Sequence, residues 1–179
     1  MREAAKYIID EAQRALDRVD DKSLDQFVDS IIAAKKVFIY GVGRSGLVAR
    51  AFSVRLVQMG LDVHFIGETT TPIVESGDLV IIISNTGETM SAVQTANIVG
   101  RIGAKVALVT SSGHSKLGSA SNITVELPIH PDENRPRLAP LGTLFEAASY
   151  LLLDSLVPVL MERLKQTESS MRRRHAIWV

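Results

Sequence analysis

Apolar residues recur at helical spacing near the start of the chain. Ala5, Ile8, Ile9, Ala12, Leu16 and Val19 form one stripe, with charged residues between them. Asp20-Asp21-Lys22-Ser23 interrupts the stripe, and Ser23 is placed to cap a second helix, Leu24 to Ala34, with Phe27, Ile31 and Ile32 inward. From Lys36 onward the pattern changes to short, uncharged, β-branched runs alternating with longer amphipathic ones. Strands are predicted at Lys36–Tyr40, Leu61–Ile66, Leu79–Ile83, Val106–Thr110 and Ile123–Leu127. Helices are predicted at Leu47–Met59 and Met90–Ile102, each followed by a glycine (Gly60, Gly103), with a short one at Ser115–Ala120. Pro128 to Pro140 is polar and rich in proline, so it reads as a loop. Leu141 to Lys165 is a long apolar helix with Pro158 inside it as a kink point, and the tail carries Arg172-Arg173-Arg174-His175.

Strand–helix alternation implies parallel pairing with right-handed crossovers. The expected fold is α/β: a three-layer αβα sandwich on a five-stranded parallel sheet, preceded by an N-terminal helical arm. The chain is read as a single domain over residues 1–179, with the arm at 1–34, the core at 35–166 and the tail at 167–179. Ligands in such sheets bind outside the carboxyl ends of the strands. The loops after the first and third strands lie on that edge.

Composition narrows the function. Twenty basic residues balance twenty acidic ones, so there is no electrostatic footprint for nucleic acid. The absence of cysteine removes disulfides and thiolate chemistry. The polar start Met1-Arg-Glu-Ala-Ala-Lys does not resemble a secretory signal, and no apolar run is read as approaching the roughly 18 residues of a membrane span. The expectation is a cytoplasmic protein with neither membrane nor nucleic-acid partner.

Three stretches carry candidate chemistry. Ser84-Asn85-Thr86-Gly87-Glu88-Thr89 follows a buried strand and opens a helix. Its hydroxyls, its glycine and the free N–H groups of the helix start suit a phosphate. No lysine follows the glycine, so it is not the nucleotide-triphosphate loop. The bland alternative is a plain turn with Thr89 as helix cap. Gly41-x-Gly43-x-x-Gly46 matches the dinucleotide fingerprint, with Glu68 near the end of the second strand as the ribose carboxylate. It also reads as a tight turn, or as a turn whose Arg44 and Ser45 meet a phosphate or sugar hydroxyls. Thr143-Leu-Phe-Glu146 fits a capping box, yet a carboxylate in a first helical turn can also serve as a base. His64 reads as a core histidine and Arg135 and Arg137 as solvated loop residues. No histidine pair has metal-ligand spacing, so no metal is expected.

At these residues the chain resembles the sugar isomerase (SIS) domain family, whose fold is flavodoxin- or Rossmann-like, and within it the 6-phospho-3-hexuloisomerases of the ribulose monophosphate pathway. The resemblance rests on Gly41-Val-Gly-Arg-Ser-Gly46, Arg55-Leu-Val-Gln-Met-Gly60, Gly67-Glu-Thr-Thr-Thr-Pro72, Ser84-Asn-Thr-Gly-Glu-Thr89, Pro140-Leu-Gly-Thr-Leu-Phe-Glu146 and Arg174-His175-Ala176. It implies conversion of D-arabino-3-hexulose 6-phosphate to fructose 6-phosphate through an enediol, without metal or nicotinamide. It implies substrate binding by Gly43, Arg44, Ser45, Ser84, Asn85, Thr86, Gly87, Glu88 and Thr89. Glu146 would be the proton-abstracting base and His175 a donor to the enediolate. It also implies a homotetramer with the tail reaching towards a neighbouring site. Two departures stand out: Asn85 where the family carries a turn glycine, and Ile177-Trp178-Val179 at the end of the tail. A non-catalytic sugar-phosphate sensor and a dinucleotide enzyme are the alternative readings.

Overall fold

In the computed structural model, which describes residues 1–130 and 132–176, the strands are β1 (Val37–Gly41), β2 (Val63–Phe65), β3 (Leu79–Ile83), β4 (Lys105–Thr110) and β5 (Ile123–Glu126). They form one all-parallel sheet in the order β2-β1-β3-β4-β5. Side chains alternate between its faces, and the two faces bury two separate cores. Val37, Ile39, Leu79, Ile81, Ala107 and Val109 pack under α1 (Arg2–Leu16), α2 (Asp21–Ala33), α3 (Gly43–Gln58) and α7 (Thr143–Arg163). Phe38, Val80, Ile82, Val106 and Leu108 pack under α4 (Met90–Ile102) and α5 (Lys116–Ala120). The expected three-layer sandwich is therefore observed, with the helical arm as part of the first layer.

Several local expectations are corrected. Asp20, not Ser23, caps α2, its carboxylate accepting the Ser23 N–H at 2.8 Å. Helix α3 begins at Gly43, inside the glycine turn rather than after it. The proline-rich loop contains a turn of helix, α6 (Arg135–Leu138), and the tail contains α8 (Glu168–Arg172), closed by a reciprocal capping box between Thr167 and Ser170. At 21 residues, α7 is long and apolar enough to span a bilayer, contrary to the expectation of no such run. Here it is a core helix: Leu144, Phe145, Ala148, Leu152, Leu153, Leu156 and Leu160 are all buried beneath it. The departing residues Ile177-Trp178-Val179 lie outside the described residues.

A strap holds the start of α7 in place. Tyr7 of α1 donates to Asp132 Oδ1 at 2.7 Å, and Arg137 of α6 forks onto Glu3 at 2.6 and 3.1 Å. Arg135 donates to the Leu141 carbonyl at 2.8 Å, where Leu141 adopts φ 58° just ahead of Gly142, the cap of α7. Arg135 and Arg137 thus lie at the surface, as expected of loop arginines, and each also makes a structural bond. Partial burial and the bond to Asp132 push the Tyr7 hydroxyl up to about 12, while the Tyr7 bond holds the Asp132 carboxyl below its usual range.

Two predictions follow from this packing. A Cβ on Gly46 would lie 2.6 Å from the Gly41 carbonyl oxygen, so Gly46→Ala should destabilise the fold by about 1–3 kcal/mol, read by urea melts. Because the Asp132 carboxyl is lowered in the folded state, its contribution is present above the unfolded value near 3.8 and is lost as pH falls through the folded value. Tyr7→Phe should therefore lower the Tm slightly at pH 7, and the gap from wild type should narrow in melts taken below about pH 4.

Candidate active site

The sheet order reverses between β1 and β3. One strand sends its chain to α3 on one face and the other to α4 on the opposite face, which opens a crevice at their carboxyl ends. A pocket of ≈ 190 Å³ lies there, lined by Val42, Ser45, Ser84, Asn85, Thr86 and Thr89. Thr89 is the residue before α4, but its side chain makes no capping bond, so its hydroxyl is not spent on the helix. The plain-turn reading of this loop fails on that point. Ser84 is only 4 % exposed and lines the pocket, and its buried Oγ has no hydrogen-bond partner. A buried hydroxyl left unmatched costs roughly 1–3 kcal/mol, so a ligand oxygen at this point recovers a real interaction. Together with the free N–H groups of α4, this makes a candidate anion seat.

Not every residue of the loop faces the seat. Glu88 turns outward to α5, where its carboxylate accepts the Lys116 backbone N–H at 3.0 Å and pairs with the Lys116 ammonium at 2.8 Å. The Lys116 side chain, then its backbone N–H, hold the Glu88 carboxyl below the usual carboxylate range. Gly87 is needed for packing rather than for a ligand: at φ 68°, its Cβ would meet Ser115 Oγ. Asn85 does not take a left-handed conformation, since Leu141 and Lys165 are the only non-glycine residues with positive φ among those described. Its backbone carbonyl accepts from Ser111 and Thr110, and its Oδ1 accepts the Ser111 hydroxyl at 2.6 Å, leaving Nδ2 aimed towards Gly142.

Glu146 borders the same spot. Its Oε1 and the Asn85 Nδ2 lie 3.0 and 3.6 Å from the point where a Cβ on Gly142 would stand. The capping box expected here does not form. Gly142 is the cap of α7, and the Thr143 hydroxyl donates instead to the Pro140 carbonyl at 2.7 Å. The Glu146 carboxylate, 12 % exposed, is therefore available for other work, and it receives the Nε–H of Arg44 from the start of α3. That pair links the glycine turn after β1 to the start of α7, and nothing in the local sequence announces it.

His175 is elsewhere. It lines a cleft with Arg55, Gln58 and Met171, and Arg174 beside it donates to the Gln58 carbonyl at 3.1 Å. This is the C-terminal end of α3, whereas Arg44 and Ser45 are at its start. Sixteen residues at about 1.5 Å each put the two ends roughly 24 Å apart, so within one chain His175 does not meet Glu146. Nor are the parts of a dinucleotide site assembled. Glu68 is paired with Arg50 at 2.6 Å, and that guanidinium lies 3.7 Å over the Phe65 ring. Gly41 and Gly46 are explained by their mutual close approach, and Gly43 by φ 60°. His64 packs on Phe38 and faces Asp62 at 2.9 Å, but on edge strand β2 it is half-buried rather than a core histidine.

Comparisons with known proteins identify the family. The SIS domain family model matches residues 30–151. A protein of Methanocaldococcus jannaschii named 3-hexulose-6-phosphate isomerase is 38% identical over 153 residues, covering 85% of this chain and 82% of its own. A crystal structure from Methanococcus jannaschii, for which the same molecular function was inferred, superposes with a TM-score of 0.84 at 32% identity, covering 98% and 97% of the two chains. The transcriptional regulator HexR of Pseudomonas aeruginosa is 29% identical over 69% of this chain but only 44% of its own. A family model spanning more than half of the sequence, and a relative matched over most of both chains, place this protein in the SIS domain family.

Proposed function

We propose that this protein is a keto-sugar-phosphate isomerase that converts D-arabino-3-hexulose 6-phosphate to fructose 6-phosphate. The observation that carries the reading is the pairing of an anion seat, with its unmatched Ser84 hydroxyl, and a Glu146 carboxylate that is not used as a helix cap. The names of the M. jannaschii relatives supply the substrate class.

Moving a ketone from C3 to C2 needs one proton taken from C2 and one returned to C3, with an enediol between. A single carboxylate over one face of that enediol can do both, and Glu146 takes the role of base and then acid. The Ser84, Thr86 and Thr89 hydroxyls and the α4 N–H groups hold the phosphate on C6. Its binding energy fixes the carbon skeleton against Glu146. Ser45 and the backbone N–H groups at the start of α3 are donors for the enediolate. With phosphate on O6, the 3-ketose is open-chain, so the forward reaction needs no ring-opening group.

His175 enters the site only from another subunit, which fits the expected homotetramer with sites near interfaces. Support comes from α7, whose apolar residues are not confined to its packed side. Its Tyr150 and Leu151, with Leu47 and Val54 of α3, are exposed in the single chain. A soluble, cytoplasmic enzyme of the ribulose monophosphate pathway, serving formaldehyde metabolism, completes the reading.

Two measurements test it. Glu146→Gln should lower kcat by about 10²–10⁴ in a coupled assay for fructose 6-phosphate while still binding that product. Retained binding with no turnover by the wild type would favour a sensor. Ser84→Ala should raise KM roughly tenfold through loss of one hydrogen bond to the ester. In the absence of ligand, the same substitution should leave the Tm unchanged or slightly raised, because it removes an unmatched buried hydroxyl. In thermal shift, fructose 6-phosphate should raise the Tm of the wild type and NAD should not.

A further inference from the structure

Beyond their ends, β3 and β4 stay paired. The Ser84 N–H donates to the Val109 carbonyl at 3.0 Å and the Ser111 N–H to the Asn85 carbonyl at 3.0 Å, so the ladder runs on into the two loops. Asn85 is thereby fixed to the sheet. The Thr110 hydroxyl also reaches its carbonyl, at 3.0 Å. With that carbonyl supplied twice, the Ser111 hydroxyl proton is left for Asn85 Oδ1, its nearest acceptor at 2.6 Å. A flipped carboxamide would turn Oδ1 towards the Glu146 carboxylate, acceptor facing acceptor, so the bond and the charge select one orientation. Nδ2 is left with no protein acceptor among the described residues. Asn85 is half-buried and lines the crevice, and its backbone is not left-handed, so an asparagine is not there to make a turn.

We infer that Asn85 determines specificity, donating from Nδ2 to the C4 hydroxyl of the sugar phosphate, and that Ser111 is the positioning residue that aims it. The inference rests on the isomerase reading above. Asn85 lies between Ser84 and Thr86, whose hydroxyls hold the phosphate on C6 in that reading. Its Nδ2 and Glu146 Oε1 flank the same point beside Gly142. Glu146 serves C2 and C3, so C4 and C5 span the gap back to the seat. Nδ2 stands at the Glu146 end of that gap, where the hydroxyl next to the reacting carbons is the one on C4. The reaction leaves that hydroxyl and its configuration untouched. A donor there reads the stereochemistry of the chain and orients it without entering the proton transfer. A neutral amide suits the place, because it adds no charge beside the base. A glycine at this position would supply neither the donor nor the bulk.

Fructose 6-phosphate and tagatose 6-phosphate differ only in configuration at C4, so their affinities, measured by calorimetry, test the contact. The wild type should bind fructose 6-phosphate about tenfold more tightly, the worth of one hydrogen bond to a hydroxyl. Asn85→Ala, which fits the backbone found here, should weaken fructose 6-phosphate alone and bring the ratio below about threefold. Asn85→Asp keeps the shape without the N–H; its charge should weaken both esters, and the ratio should fall likewise. Ser111→Ala should lower the ratio by at least about half, and Ser111→Thr, which keeps the hydroxyl, should preserve it. A merely structural Ser111 would shift the Tm or both affinities together and leave the ratio alone, which would overturn its positioning role. A wild-type ratio near one, or a ratio unchanged in both Asn85 variants, would overturn the inference. Turnover of the hexulose phosphate, assayed alongside, keeps the two claims apart. If the wild type turns it over and the ratio fails, only the Asn85 contact is lost. If the wild type turns over none, the isomerase reading fails, and the C4 assignment, which counts carbons from Glu146, fails with it.

Discussion

Five residues of β1 lie parallel to five of β3, from Val37 opposite Leu79 to Gly41 opposite Ile83. This register brings the ends of the two strands level, and the chains leaving them then diverge to opposite faces of the sheet. The crevice is a consequence of that divergence. β3 is buried throughout and β1 from Val37 to Ile39, so a slip of register would turn eight buried apolar side chains against the wrong layer. The site therefore inherits its geometry from the most constrained part of the core and sits on the least constrained part, the turns beyond it.

Around that crevice, polar groups that could have been used to finish helices are left free. Thr89 precedes α4 without capping it, and Gly142 takes the position that would otherwise engage Thr143 and Glu146. Three other helix starts are completed by a side chain: Asp20, Ser115 and Thr167 each accept a backbone N–H from their own helix, whereas α1, α3 and α6 have no side-chain cap. The contrast separates α4 and α7 from α2, α5 and α8. Where capping is forgone, unsatisfied donors and a carboxylate remain to meet a ligand.

Glu146 also depends on distant parts of the chain. The turn that carries it is held by Arg135 on the Leu141 carbonyl, and the strap bearing Arg135 is tied by Asp132 and Arg137 to Tyr7 and Glu3 of the first helix. The helical arm is thus more than a cover for one sheet face. It sets the start of α7, and through it the position of the carboxylate relative to the seat on β3.

The sequence by itself determined the strands, their order of appearance and the two glycine-bearing turns, because β-branched runs and glycine act locally. It also marked Ser84, Thr86, Thr89 and Glu146 as candidates by residue type. It did not decide among their uses. Whether Thr143 and Glu146 close a helix or face a ligand depends on where Arg44 stands, a hundred residues away in the chain. Glu88 was indistinguishable by pattern from its neighbours until Lys116 claimed it, and Glu68 until Arg50 did. The helices α6 and α8 were hidden for a different reason: each is too short for periodicity to register, although the Thr167 and Ser170 pair was a readable start signal. Propensity and period act over a few neighbouring residues, whereas the partner of a charged side chain is chosen by the packing of the whole sheet. Only the tertiary structure could make that choice.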